Sequence, residues 1–205
     1  MSKANPPTCC CAAGAADITG CRMSLYPMCD DFVNIILTAA AKVDTAKVWA
    51  ATDVMSTVYR GRPTQVLDCA RAIFVNAYRE SVHMAGEFTF SRGCPGDVDA
   101  DRYLDTDDIP ANSASLSLGD FQATAKISFY AFGLPEYMAH IRQVVALAQK
   151  HGLSPKSSHY VTFLKGTANS LFAYFDEVLA YALAHLPHYV LQASISVNSP
   201  TPEAL

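Results

Sequence analysis

The segments Arg22-Met-Ser-Leu-Tyr26 and Lys126-Ile-Ser-Phe-Tyr130 share one pattern: a basic residue, an apolar residue, a serine, an apolar residue and a tyrosine. The similarity extends outward over residues 22–95 and 126–200, at an offset of 104–105. Matched pairs further along are Asp31 with Glu136, Thr57 with Thr162, Gly61 with Gly166 and Cys94 with Ser199. A period near one hundred residues is too long for a solenoid. The sequence therefore predicts a small domain duplicated in tandem, with any site present twice.

The composition argues against several classes of protein. The chain has 205 residues, is 51% hydrophobic and carries a net charge of −4. It lacks the cluster of Lys and Arg residues that nucleic-acid binding requires. The longest apolar run, residues 35–41, is far shorter than the roughly 20 residues of a membrane span. The first residues lack the apolar segment of a secretory signal. We therefore expect a cytoplasmic protein that does not bind nucleic acid.

The seven cysteines indicate a reducing compartment rather than a disulfide framework. Their number is odd, their spacing is irregular and no CxxC motif occurs. Three adjacent side chains, as in Cys9-Cys10-Cys11, cannot all converge on one ion. The sequence thus predicts neither a metal site nor a cofactor.

Each copy predicts the element order βαββαβ from its hydrophobic periodicity. In the first copy we expect strands at 22–28, 47–52, 55–60 and 83–91, one helix capped by Asp30 or Asp31, and a second capped by Thr64. In the second copy we expect strands at 126–132, 159–165 and 189–197. Its first helix begins near Pro135 and ends at Gly152, and its second contains residues 171–182.

A βαββαβ unit folds as a four-stranded antiparallel sheet with both helices on one face, the ferredoxin-like arrangement. The predicted fold class is therefore α+β, with two such repeats in tandem. The boundaries that we expect are a flexible tail at 1–20, a first repeat at 21–97, a linker at 98–121 and a second repeat at 122–200.

Alternation along the strands predicts which side chains face the helices. These are Met23, Leu25, Val58, Phe88 and Phe90 in the first copy, and Ile127, Phe129, Val161, Phe163 and Ile195 in the second. The opposite face then carries hydroxyls and one phenol in each copy. They are Ser24, Tyr26, Thr57, Thr89 and Ser91, and Ser128, Tyr130, Thr162, Ser194 and Ser196. Such a lining suits a flat heteroaromatic ligand with ring nitrogens and an amino group. The alternative is the ordinary polar surface of an antiparallel sheet.

Several motifs of the first copy resemble those of the YkoF family, which binds thiamin and hydroxymethylpyrimidine. They are Ser24-Leu25-Tyr26-Pro27-Met28, Asp30-Asp31-Phe32, Lys47-Val48-Trp49, Ser56-Thr57-Val58, Arg60-Gly61, Thr89-Phe90-Ser91 and Gly93-Cys94-Pro95-Gly96-Asp97. The resemblance covers about residues 21–200. It implies tandem ferredoxin-like repeats that form a homodimer, one ligand site per repeat, no established catalysis, and a cytosolic role beside a membrane transporter of thiamin or its precursor.

The resemblance implies ligand-binding roles for Ser24, Tyr26, Thr57 and Ser91. The internal repeat extends these roles to Ser128, Tyr130, Thr162 and Ser196. The second copy departs from the motif, since Tyr130-Ala131-Phe132 replaces Tyr26-Pro27-Met28. We therefore expect the two sites to differ in affinity.

Two alternatives remain open at the level of sequence. One is a regulatory module that senses a small molecule. The other is an enzyme acting on a pyrimidine with Cys94 as its nucleophile, although no neighbouring base is evident.

Overall fold

The computed structural model describes residues 18–92 and 98–201. The first repeat consists of β1 (Thr19–Pro27), α1 (Phe32–Ala40), β2 (Trp49–Thr52), β3 (Thr57–Gly61), α2 (Pro63–Ala77) and β4 (Met84–Arg92). The second consists of β5 (Gln122–Phe132), α3 (Tyr137–Leu147), β6 (Lys156–Ser158), β7 (Val161–Thr167), α4 (Ala168–His185) and β8 (His188–Val197). Short 3-10 helices lie at Val98–Asp105, Ser113–Leu118 and Ala148–His151.

The two repeats share one eight-stranded antiparallel sheet, in the order β2-β3-β1-β4-β8-β5-β7-β6. Each half has the ferredoxin-like strand order, so the predicted α+β fold of tandem repeats is confirmed. The halves join where β4 pairs with β8, and Phe88 lies opposite Ala193. At an offset of 105 these two residues are each other's counterparts. The pseudo-twofold axis between the repeats therefore passes through this pair.

The helices cover one face of the sheet, and the core lies between them and the strands. Alternating residues of β1, β4, β5 and β8 are buried against the helices. At the pseudo-axis, the ring of Phe88 lies 5.8 Å from that of Phe74 in α2 and 5.6 Å from that of Phe172 in α4. Aromatic side chains from both repeats thus form one continuous core.

The structure corrects some of the expected element ends. The helix α2 begins at Pro63, after Arg62, rather than at a Thr64 cap, because proline is well suited to the first helical position. The carboxylate of Asp31 precedes α1 but accepts a hydrogen bond from Asn34 instead of capping the helix. The strand β6 (Lys156–Ser158) fills the place in the βαββαβ order for which no range was predicted. Gly152, at φ 68°, ends the turn after α3 as predicted.

The predicted faces of β3 and β7 are wrong. Thr57 lies opposite Met23, and Thr162 lies opposite Ile127, so both threonines share the helix-covered face. Val58, Val161 and Phe163 lie on the opposite, open face. Both faces of these two strands carry apolar residues, so the alternation of apolar and polar residues did not show which face is buried. Burial of the larger Tyr59 ring and of Leu164 decides the register.

Residues 98–121 form ion pairs and hydrogen bonds with the first repeat. Lys47 Nζ donates to Asp107 Oδ1 at 2.6 Å, and Arg62 pairs with Asp108. The buried Asn112 donates from its backbone and its side chain to Asp68 Oδ2, at 2.8 and 2.9 Å. This segment therefore acts as a strap across α2, in addition to connecting the repeats.

Replacing Phe88 with Ala should lower the free energy of unfolding by about 3–5 kcal/mol, because it opens a cavity at the junction of both cores. Urea denaturation followed by circular dichroism measures the loss, and Phe132→Ala, at an exposed ring, is the control. A loss comparable to that of the control would contradict a shared core.

Candidate functional site

The central strand of each repeat, β1 or β5, extends beyond the last residue that pairs with the neighbouring strand β3 or β7. β1 pairs with β3 only over Thr19–Met23, and β5 pairs with β7 only over Gln122–Ile127. Among the described residues, no β3 or β7 partner lies opposite 24–27 or 128–132. Backbone N–H and C=O groups along this strand edge therefore lack a ladder partner. Such groups need an alternative partner, which water or a ligand can supply.

In the second repeat this separation forms a cleft of ≈ 510 Å³. Its walls are residues 127–132 of β5, one side of α3, and the β6–β7 hairpin. Besides Phe129, four aromatic rings and four aliphatic hydroxyls contribute to the lining. They are Tyr130, Phe132, Tyr137 and Tyr160, and Ser128, Ser157, Ser158 and Thr162. The volume and the mixed lining are those of a small-molecule site.

A serine in each repeat holds the hairpin to the central strand. Ser24 Oγ donates to the backbone oxygen of Met55 at 2.8 Å, and Ser128 Oγ donates to that of Tyr160 at 3.1 Å. Each hydrogen bond lies within its own repeat, and the two bonds involve equivalent atoms. The hydroxyl proton is thus engaged, while the oxygen retains acceptor capacity.

Large apolar side chains are exposed around the cleft of the second repeat and at the equivalent positions of the first. Tyr26 and Tyr130 are each 44% exposed. The other exposed members are Met28, Phe32, Val33 and Met55 in the first repeat, and Phe132, Tyr137, Met138 and Tyr160 in the second. Exposed apolar residues that cluster in this way mark a binding surface.

Tyr160 has an unusual conformation at the tip of the β6–β7 hairpin. It is 97% exposed and its φ is 65°. Left-handed backbone is uncommon for residues other than glycine, and such residues concentrate at functional sites. The conformation places a fully exposed aromatic ring beside the cleft.

The two predicted threonines differ in their partners. Thr57 Oγ1 lies 3.0 Å from Thr52 Oγ1, so the two hydroxyls share a hydrogen bond. Thr162 lines the cleft, and within the described ranges no hydrogen bond to its hydroxyl is found. The second repeat therefore offers a free hydroxyl where the first has one already engaged.

The predicted Ser91 and Ser196 lie outside this group. Ser196 Oγ lies 3.1 Å from His83 Nε2, across the boundary between the repeats. Ser91 lines a separate depression on the open face, with Trp49 and Arg60. The structure thus brings Ser128, Tyr130 and Thr162 together in one cleft. The remaining predicted residue of each repeat, Ser91 or Ser196, lies elsewhere.

Sequence reasoning missed the helix wall and the hairpin tip of the cleft. Tyr137, Met138 and Tyr160 line it, yet they were not candidates because the expected site lay on the open face alone. A signal was available, since exposed positions of both copies carry large apolar side chains at the same offset.

Asp53 carries a carboxylate in the turn between β2 and β3 of the first repeat. Arg22 Nη1 donates to Asp53 Oδ2 at 2.7 Å, and the backbone N–H of Met55 donates to Oδ1 at 2.8 Å. These hydrogen bonds, with that of Arg22 first, lower the pKa of Asp53 to about 2. In the second repeat Ser158 stands in the place of Asp53. The charge pair therefore belongs to the first repeat alone.

Two cysteine thiols of the described ranges are deeply buried. Burial raises the pKa of the Cys69 thiol to about 12 and raises that of Cys21 as well. Thiols with raised pKa values are poor nucleophiles. No group of His, Cys, Asp or Glu side chains in residues 18–92 and 98–201 could hold a metal ion. Cys94 lies outside the described residues.

The Asp53 carboxyl should titrate near pH 2 in the folded protein, well below its ordinary value of 3.8. Because folding depresses this pKa, the ion pair stabilises the fold above the unfolded pKa and is lost as the pH falls through about 2. Carboxyl-carbon NMR measures the midpoint, and Arg22→Gln should raise it. A wild-type midpoint near 3.8 would contradict the described contact.

In residues 18–92 and 98–201, no helix is both long enough and apolar enough to span a bilayer.

A family model and a curated protein match most of the chain, and a solved structure matches a smaller part of it. The model of the family described as "YKOF-related Family" matches residues 18–97 and 122–202. A Bacillus subtilis (strain 168) protein named "Putative HMP/thiamine-binding protein YkoF" is 37% identical over 188 residues, which are 92% of this chain and 94% of that protein. A crystal structure of the hypothetical protein MJ1052 from Methanocaldococcus jannascii matches 41% of this chain and 88% of its own, at 15% identity and a TM-score of 0.37.

Proposed function

The chain belongs to the YKOF-related family, and from that premise we propose that it binds thiamin or its hydroxymethylpyrimidine precursor without catalysis, one molecule per repeat. The observation that carries this proposal is the cleft of the second repeat, together with the serine-anchored hairpin, the unpaired strand edge and the exposed apolar side chains that both repeats share. The relative from Bacillus subtilis is named for the same ligand class.

The chemistry of an aminopyrimidine matches the second cleft. Its ring nitrogens accept hydrogen bonds and its exocyclic amine donates them, so the free Thr162 hydroxyl and the unpaired edge of β5 can bind its rim. The rings of Tyr130 and Tyr160 can pack against its faces, and stacked aromatic pairs add about 0.5–1.5 kcal/mol beyond burial. A thiazolium cation would gain a cation–π contact with the same rings.

The first repeat has the equivalent hairpin and unpaired strand edge, with fewer aromatic rings. Met28, Val33 and Met55 occupy the places of Phe132, Met138 and Tyr160. Its threonine hydroxyl is engaged by Thr52. We therefore propose that the second repeat binds the ligand more tightly than the first.

The proposed cellular role is delivery or storage of the ligand in the cytoplasm, beside a membrane transporter. We further propose a homodimer, which the exposed apolar residues at the cleft mouths support. Sedimentation equilibrium tests the dimer, and mass spectrometry of small molecules released from the purified protein tests the ligand class.

Thr162→Val should weaken the tighter class of thiamin sites about tenfold, the effect of one hydrogen bond worth about 1–1.5 kcal/mol. The substitution keeps the shape of the side chain and removes only the hydroxyl. Isothermal titration calorimetry with thiamin and with hydroxymethylpyrimidine measures both site classes. Absence of heat with folded wild-type protein at millimolar ligand would overturn the proposed function.

Two matched variants assign the sites. Thr57→Val should affect only the weaker class, and by less, since its hydroxyl is already engaged. Ser196→Ala, outside the cleft, should leave both affinities unchanged if the cleft is the site. Unchanged affinities in both threonine variants, with a loss in Ser196→Ala, would place the ligand on the open face instead.

A further inference from the structure

The β6–β7 hairpin of the second repeat is held by fewer contacts than the β2–β3 hairpin of the first. Both hairpins turn beside the unpaired end of a central strand. We propose that residues 156–161 form a lid over the cleft of the second repeat, and that Tyr160 is the residue that closes on the bound molecule. The lid rests on the proposed function, because the molecule that it covers is the ligand assigned to this cleft.

Side chains fix the turn of the first repeat. Asp53 Oδ1 accepts hydrogen bonds from the backbone N–H groups of Met55 and Ser56, at 2.8 and 2.9 Å. Arg22 Nη1 donates to Asp53 Oδ2 at 2.7 Å and also to Ser56 Oγ. The backbone N–H of Asp53 donates to the Ser56 carbonyl at 2.9 Å. These bonds close the turn on itself and tie it to β1, so the tip of this hairpin is held in one position.

The turn of the second repeat lacks that set of contacts. The counterparts of the arginine and the aspartate are Lys126 and Ser158. Within the described part of the chain, the one side-chain hydrogen bond to residues 156–161 comes from the Ser128 hydroxyl, 3.1 Å from the carbonyl oxygen of Tyr160. All three residues of β6 are exposed. A hairpin with so few buried contacts opens at a low cost in free energy.

The backbone of Tyr160 is strained in the position that the structure shows. Residues 159–160 form the turn between Ser158 and Val161, which pair with each other. Tyr160 is the second residue of that turn and has a φ of 65°, a conformation for which turns favour glycine or asparagine. Little packing offsets this strain, since the side chain is 97% exposed. Strained residues of this kind concentrate at functional sites.

The position of the Tyr160 ring indicates what it can close on. The ring lines the cleft although almost all of its surface faces solvent. Tyr137 and Met138 of α3 line the same cleft, and each is about half exposed. A flat ligand in the cleft gives Tyr160 an aromatic partner. Closure then buries apolar surface of the lid and of the ligand together, which drives the movement.

Amide hydrogen exchange of the full chain, followed by NMR, measures the mobility of the equivalent segments 53–56 and 158–161. Corrected for intrinsic rates, exchange in the free protein should be about tenfold faster in residues 158–161. Saturating thiamin should slow exchange there and leave residues 53–56 nearly unchanged. Equal exchange in the two free segments, or no slowing while calorimetry shows thiamin bound, would overturn the lid alone. Absence of thiamin binding would overturn the proposed function and the lid together.

Variants of Tyr160 separate the ring from the backbone. Tyr160→Phe keeps the ring and should leave the dissociation rate of thiamin from the tighter sites within about twofold of the wild type. Tyr160→Asn removes the ring but tolerates the left-handed backbone, so it should speed dissociation about tenfold without lowering the melting temperature. Surface plasmon resonance measures the rates. Equal rates in Tyr160→Asn and the wild type would contradict the role assigned to this ring.

A double variant, Lys126→Arg with Ser158→Asp, transfers the ion pair of the first repeat to the second. It should slow exchange in residues 158–161 and weaken the tighter thiamin sites about fivefold, because a fixed tip cannot close. Lys126→Arg alone is the matched control and should behave as the wild type. Arg22→Gln is the converse variant and should speed exchange in residues 53–56. Slowed exchange with unchanged thiamin affinity in the double variant, or unchanged exchange in Arg22→Gln, would count against the lid.

Discussion

The pairing of β4 with β8 is the constraint on which the rest of the structure depends. Each repeat alone would expose a strand edge and a small core, and both are liabilities. Antiparallel pairing of the two edges joins the sheets, and it brings α2 and α4 together over Phe88. The free ends of the central strands then lie on opposite sides of the pseudo-axis, and the free end of β5 forms one wall of the cleft.

The two repeats share the same order of backbone elements but differ in the side chains at equivalent positions. The serine-to-hairpin hydrogen bond is kept in both repeats, because it holds the hairpin that forms the cleft wall. The side chains that would contact a ligand differ, as with Met55 and Tyr160. The open face differs more strongly, since Gly20 and Trp49 have no counterpart of the same kind. A single fold thus supports two related hairpin arrangements, one cleft and one unrelated depression.

The strap at residues 98–121 adds a second asymmetry. Asn112 joins Asp44 to the buried Asp68, and Lys47 and Arg62 pair with consecutive aspartates. The segment predicted to be a linker forms ion pairs with basic side chains of the first repeat. Among the described residues, its contacts include α2, Asn169 of α4 and strands β2 and β3.

The sequence by itself determined the duplication, the βαββαβ order, the buried parity of β1, β4, β5 and β8, and the family. These follow from local periodicity and from matched motifs, which need no knowledge of distant contacts. Only the tertiary structure decided the register of β3 and β7, because Val58 and Tyr59 compete for the same buried face and the larger ring prevails. It also decided that Thr162 meets α3 in a cleft while Ser196 bonds to His83, since the helix and the neighbouring repeat reach those positions only once the two sheets have joined.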